Sequence, residues 1–233
     1  MKTLSSFVIV VVLLLGVVSN SVAENKATTG LYDNIQNLLA GATINEAGAN
    51  MAIGIVFACL DEDKGNNVQI SRDMLNSDND FKKIFSTIAH YYENHQESRN
   101  MDQRTFVITA LKGSYPAKNP ALKGNPTGFG VLPIKKVWEF DKLPMQVRIR
   151  GANQVAMFDN MLFGYYIGIR NAENFIVPDE DSNVKNIVYN VILNYIKTHP
   201  ESLLESKDTF LDPAQIAPSV VIKALEARYQ RSN

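Results

Sequence analysis

The chain is 233 residues long, with 23 basic and 24 acidic residues and a formal charge of −1. A balance this even carries no electrostatic footprint for nucleic acid or an anionic membrane surface. The length suffices for one good core or two small ones. A single cysteine, Cys59, excludes any disulfide within one chain.

The first element is a leader. Lys2 precedes an unbroken apolar run from Phe7 to Val18, and small residues follow up to Ala23. That order of basic, apolar and small predicts a secretory signal cut between Ala23 and Glu24. The run is 12 residues, against the roughly 20 a membrane-crossing helix needs. No stable membrane anchor is therefore expected, and localisation should be periplasmic or secreted. Cleavage removes one charge, Lys2, and leaves the mature chain slightly more acidic.

After the leader, Leu31, Ile35, Leu38 and Leu39 predict an amphipathic helix stopped at Gly41. Met51 to Leu60 is almost continuously apolar, as in a helix buried on several sides. Cys59 shares helical spacing with Met51 and Ile55, which places it in a core as a small hydrophobe. An acidic stretch follows, with Asp61, Glu62, Asp63, Asp73, Asp78 and Asp80. It reads either as a solvated loop or as a surface for a partner. Phe81, Ile84, Phe85, Ile88 and Tyr92 predict the next helix, and Thr105 to Lys112 the one after it.

Residues Pro116 to Pro133 are rich in proline and glycine and cannot hold regular structure for long. Beyond them, Ile134 to Phe140 and Met145 to Arg150 alternate around Asp141-Lys142-Leu143-Pro144, which predicts a β-hairpin. It carries Lys135, Lys136 and the only tryptophan, Trp138, among seven basic residues between Lys118 and Arg150. Such a hairpin suits an acidic partner; the competing reading is edge-strand protection, in which lysines deter strand pairing. In the last third, Val184, Ile187, Val188, Val191, Ile192 and Tyr195 predict a helix that Pro200 should stop, and Pro218 to Arg231 a final helix.

Three anchors recur in order along the chain. Asn50-Met51-Ala52-Ile53-Gly54 matches Asn160-Met161-Leu162-Phe163-Gly164, Tyr91 to Ser98 with His95 matches Tyr195 to Ser202 with His199, and Ala110 to Tyr115 matches Ala224 to Tyr229. Unequal offsets at the joints are what a diverged duplication shows, since loops absorb length changes and helices do not. Gly54 and Gly164 would allow a neighbouring helix to approach closely. The expected organisation is a signal peptide over 1–23, a helical unit over 24–116, a linker with a hairpin over 117–152 and a second helical unit over 153–233. The expected fold class is mainly α, two related helical bundles forming a pseudo-dimer.

Residues for catalysis are sparse. The histidines are His90, His95 and His199; the first two are five apart, a poor spacing for sharing a metal on one helix face. There is no HExxH, no thiolate cluster and no phosphate-cradling Gly-Lys-Ser/Thr ending. Nothing flanking Cys59 signals an activated thiol. No catalytic set, cofactor or metal site is expected, and the chain reads as a binding protein rather than an enzyme.

The helix with Gly164-Tyr165-Tyr166-Ile167-Gly168-Ile169, the helix end Tyr195-Ile196-Lys197-Thr198-His199-Pro200-Glu201-Ser202 and the last helix with Ala224-Leu225-Glu226-Ala227-Arg228-Tyr229 resemble the Tai-like family of small exported immunity proteins. The resemblance covers most of 155–231 and, more faintly, 31–115. It implies a compact, all-helical, often dimeric domain in the periplasm of a Gram-negative bacterium. It also implies a protein partner, a peptidoglycan amidase effector whose active site is occluded. The chain departs from that family in lacking a disulfide-forming pair, in carrying two copies and in its basic insert. An envelope or secreted stress or virulence factor on the same scaffold is the alternative function. Oligomeric expectations are a monomeric pseudo-dimer or a homodimer.

Overall fold

A computed structural model describes residues 28–41, 47–70, 74, 78–117, 132–134, 159–170, 173–205, 214–216 and 218–231. The expected signal sequence and its Ala23–Glu24 junction lie outside them. Lys135, Lys136 and Trp138, with nearly all of the expected hairpin, also lie outside. The fold is mostly helical with small antiparallel sheets.

Helix α1 spans 28–39 and buries Leu31 and Ile35 on consecutive turns. It ends at Gly41, whose φ of +86° suits a residue without a Cβ. Thr28 ties its start to the Met101 carbonyl at 2.6 Å, and Tyr32 stacks on Tyr92 at 4.2 Å. Helix α2, Ala47–Asp63, is buried on several sides, in keeping with its near-continuous apolar run. Helix α3, Asp78–Asn94, presents Ile84, Phe85, Ile88, Ala89 and Tyr92 to the same interior. Helix α4, Gln103–Lys112, starts two residues earlier than expected because Asp102 caps it, its side chain accepting the Thr105 N–H at 2.9 Å.

Strand β1, Leu132–Ile134, pairs antiparallel with β4, Ala214–Ile216, which in turn pairs with β3, Leu203–Glu205. The described strand at the head of the expected hairpin is thus bound to a segment some eighty residues away. Helix α5 spans 159–170. Strand β2, Phe175–Ile176, leads to helix α6 over 184–198, which winds as a π-helix over Asn186–Leu193 and as an α-helix over Asn194–Thr198. Helix α7, Pro218–Glu226, is shorter than the expected Pro218 to Arg231. Leu225 accepts both Arg228 and Tyr229 N–H groups, closing a turn, and the chain leaves as strand β5, Gln230–Arg231, paired with β2.

Buried side chains form two clusters. One joins α1 to α4, with Phe85, Phe106, Leu60 and Leu111 at its centre. The other joins α5, α6 and α7, with Tyr165, Tyr166, Ile192 and Leu225. Ala58 of α2 belongs to the second cluster, and Phe57 and Ile167 pack against both.

Several local features recur at or near the repeated anchors. Helix α2 is followed by Lys64 at φ 52°, and the turn after α5 by Asn174 at φ 53°, residues separated by the same 110 positions as Gly54 and Gly164. Tyr91 stacks on His95 at 4.0 Å and 14°, and Tyr195 on His199 at 4.1 Å and 12°. Each imidazole Nδ1 lies against its tyrosine's carbonyl oxygen, at 3.0 and 2.9 Å. A carbonyl can only accept, so Nδ1 carries the proton in both. Leu111 accepts Ser114 and Tyr115 N–H groups as Leu225 accepts Arg228 and Tyr229. Val68 and Pro116 form an antiparallel bridge, as β2 and β5 pair in the later segment.

Candidate functional site at the contact between α2 and α5

The two buried clusters meet where α2 crosses α5, and the crossing is reciprocal. A Cβ on Gly54 would overlap the Met161 carbonyl oxygen and come within 2.6 Å of the Tyr165 nitrogen; one on Gly164 would overlap the Met51 carbonyl. Met51 and Met161 are matched residues, as are Gly54 and Gly164. Further along, a Cβ on Gly168 would lie 2.5 Å from that of Ala58. The backbones are in contact, which only residues without side chains permit.

On α2, Gly54, Ala58 and Asp61 follow at four and three residues and so lie on one face. Asp61 therefore continues the stripe that meets α5. The Tyr165 hydroxyl, on a side chain 1% exposed, donates to Asp61 Oδ2 at 3.0 Å. Burial pushes the Asp61 carboxyl up to about 7, with Glu62 adding to the shift and the Tyr165 hydrogen bond opposing it. Burial and the facing Asp61 carboxyl hold the Tyr165 phenol well above its ordinary range.

Glu62 is half-buried and raised, first by burial and then by Glu173 across the seam; Arg104, Lys64 and Arg231 pull it the other way. Arg104 donates to the Glu62 carbonyl oxygen at 3.1 Å. Arg231 bridges Glu173 at 2.7 Å and Glu226 at 2.6 Å. Asp63 is 2% exposed and has a structural task, accepting Asn67 N–H and Val68 N–H at 2.9 and 3.0 Å and the Asn67 side-chain amide at 2.7 Å. Of the acidic residues read as a partner surface, Asp61 thus lies in the seam and Asp63 locks the turn after α2. Glu62 stands at the edge of both.

Sequence reasoning passed over a second buried carboxyl. Asp159, 7% exposed at the start of α5, accepts a short hydrogen bond from the Tyr189 hydroxyl of α6. Burial pushes it up to about 6, against the lowering effect of that bond. The signal was an aspartate one residue ahead of the Asn160 anchor. Glu173 and Arg231 were equally invisible, since neither belongs to any spacing.

Cys59 is 3% exposed, and burial pushes its thiol up to about 12. Such a thiol is not a nucleophile at neutral pH. His90 is exposed beside Asn94, while His95 and His199 are spent on the stacks. Ala110 is buried within α4 and Ala224 within α7. Among the described residues no group of three or more His, Cys, Asp or Glu side chains is placed to hold a metal ion. Among them, too, no helix is long and apolar enough to cross a membrane. An apolar groove of about 280 Å³ opens between α1 and α3, lined by Leu38, Leu39, Phe81 and Lys82.

No protein-family model matches the chain, and no curated protein or solved structure matches it.

Proposed function

We propose that the mature chain is an exported protein-binding module, two related helical bundles fused into a pseudo-dimer, that inhibits a cell-wall amidase toxin by covering its active site. The observation that carries this reading is the reciprocal α2–α5 crossing. A homodimer interface is isologous, with residue i of one subunit on residue j of the other and the converse. Met51 and Gly54 meeting Gly164 and Met161 reproduce that relation within one polypeptide. The seam that a dimeric relative would form between chains is here formed in cis, which leaves outer faces for another protein. The Tai-like resemblance supplies the partner class, and the leader supplies the compartment.

The test uses residues 24–233 and a peptidoglycan amidase encoded beside the gene. The two should elute as one complex, and amide hydrolysis of labelled peptidoglycan should stop at equimolar binding module. Separate elution with undiminished hydrolysis overturns the immunity reading and favours an envelope factor with another ligand. If the basic stretch reaches the partner, charge reversal at Lys135 and Lys136 slows association more than it speeds dissociation, since exposed charge steers encounter.

A further inference from the structure

Ile176 of β2 is displayed to solvent on a backbone that is tied down on both sides. Phe175 and Val177 are 4% and 5% exposed, so the alternation of a strand turns Ile176 outward, where it is 58% exposed. Among the described residues it is the one large apolar side chain so exposed. The earlier segment, which bridges to the residue after the matched Tyr115, has a polar residue in that place: Gln69 lies between Val68 and Ile70, which are 1% and 0% exposed. Ahead of the strand, Arg231 bonds Glu173 at 2.7 Å and stands over the Phe175 ring at 5.1 Å. After it, the Tyr229 hydroxyl donates to Asp181 Oδ2 at 3.0 Å, and Arg228 lies 3.6 Å from the same oxygen. Ser182 Oγ donates to the Asp179 carbonyl at 2.7 Å, and the Asn183 and Asn186 side-chain amides donate to that of Glu180. The carbonyls of Asp179 and Glu180 are thus occupied, while their side chains are exposed. Among the described residues no cation pairs with either carboxylate. They lie three and four residues past Ile176, within about 14 Å of it however the chain turns.

We propose that Ile176 with Asp179 and Glu180 is a docking surface for a partner protein that offers an apolar pocket bordered by lysine or arginine. A single exposed apolar residue needs no explanation by itself. What distinguishes Ile176 is its tied backbone and its anionic border. Association loses free energy to the ordering of loops and side chains, and a turn already ordered avoids most of that cost. Tight contacts centre on an anchor side chain ringed by polar groups, which matches Ile176 and its border. The two free carboxylates set the sign of that border, because Arg228 is engaged with Asp181 and Arg231 with Glu173 and Glu226. The partner's rim must then be positive, and opposite charge also speeds encounter. The surface rests on the reading of the chain as a protein-binding module and stands whether or not the partner is an amidase.

Photo-crosslinking p-benzoylphenylalanine in place of Gln230, the exposed cross-strand neighbour of Ile176, reads the surface in cells that also produce the amidase encoded beside the gene. The same group in place of Asn37, exposed on α1, is the reference. Irradiation should join the chain to one protein far more strongly from position 230 than from 37, at a peptide that carries lysine or arginine. Ile176→Ser, and separately Asp179→Lys with Glu180→Lys, should each lower that yield about tenfold, as the loss of a hot spot does. Circular dichroism of the purified variants should keep the native unfolding midpoint; if the double charge reversal does not, Asp179→Asn with Glu180→Gln takes its place. Equal yields from the two positions, or a yield that either variant leaves unchanged, overturns the surface. An amidase adduct that responds to the variants supports both readings, and a responding adduct to another protein supports the surface while overturning the immunity reading. An amidase adduct formed only from position 37 does the reverse.

Discussion

Gly164 shows how much one missing atom can decide. Its added Cβ would meet the backbone of Met51, and a backbone cannot rotate away as a side-chain tip can. Overpacking of this kind costs roughly 1–3 kcal/mol and at times more, so Gly164→Ala should lower the urea midpoint by at least the equivalent of ~2 kcal/mol. Gly30, on α1 with nothing within 4 Å of its added Cβ, is the control; Gly30→Ala should raise stability by up to about 1 kcal/mol through helix propensity. Equal effects at the two sites would remove the close crossing from the account. Asp159 gives a second prediction at this scale. Its carboxyl is raised to about 6 in the folded chain, so its contribution is complete below the ordinary aspartate range of about 4. That contribution is lost as the pH rises through about 6. Urea unfolding of the native chain should therefore weaken between those values, and Asp159→Asn should flatten that part of the profile.

Among the elements, two helix ends share one arrangement. His95 and His199 close α3 and α6 with the same stack and the same Nδ1–H to carbonyl bond. Removing either ring takes away one hydrogen bond and one ring stack, about 1–2 kcal/mol together. His95→Ala and His199→Ala should thus lower the unfolding midpoint by similar amounts, as measured by circular dichroism. A large loss at one and none at the other would break the equivalence of the two ends. The helices themselves were legible in the sequence wherever one stripe is buried, as at Ile84, Phe85, Ile88 and Tyr92. Legibility stopped where a partner distant in sequence decides. Tyr229 to Arg231 carry helix-compatible residues, yet the backbone pairs with Phe175–Ile176, and a strand-to-strand bond over that separation leaves no local pattern. The pairing of Leu132–Ile134 with Ala214–Ile216 is hidden for the same reason. So is the π-helical winding of Asn186–Leu193, where the equivalent α3 is regular.

For the whole molecule, the crossing of α2 and α5 ties two cores together. Ala58 of α2 is buried in the cluster of α5, α6 and α7, and Ile167 of α5 packs against both clusters. Heat unfolding of residues 24–233 should accordingly give coincident transitions by far-ultraviolet dichroism and by tyrosine fluorescence. Two separated transitions would show that the seam does not couple the halves. Light scattering on the eluting protein should report one chain per particle if the crossing replaces a dimer interface; an obligate dimer would count against a pseudo-dimer.

What the sequence determined by itself was local or periodic: helix positions, the residues that stop helices, and the spacing of matched anchors. Each of these follows from side-chain order along one stretch of backbone, because helical periodicity and helix stops are short-range. Only the tertiary structure decided that Gly54 and Gly164 face one another, that Asp61 belongs to a seam rather than a solvated loop, and that Glu173 and Arg231 stand beside it. Burial and charge proximity are properties of the packed chain. Asp61 takes its surroundings from neighbours such as Tyr165, 104 residues away, and no reading of its own segment contains them.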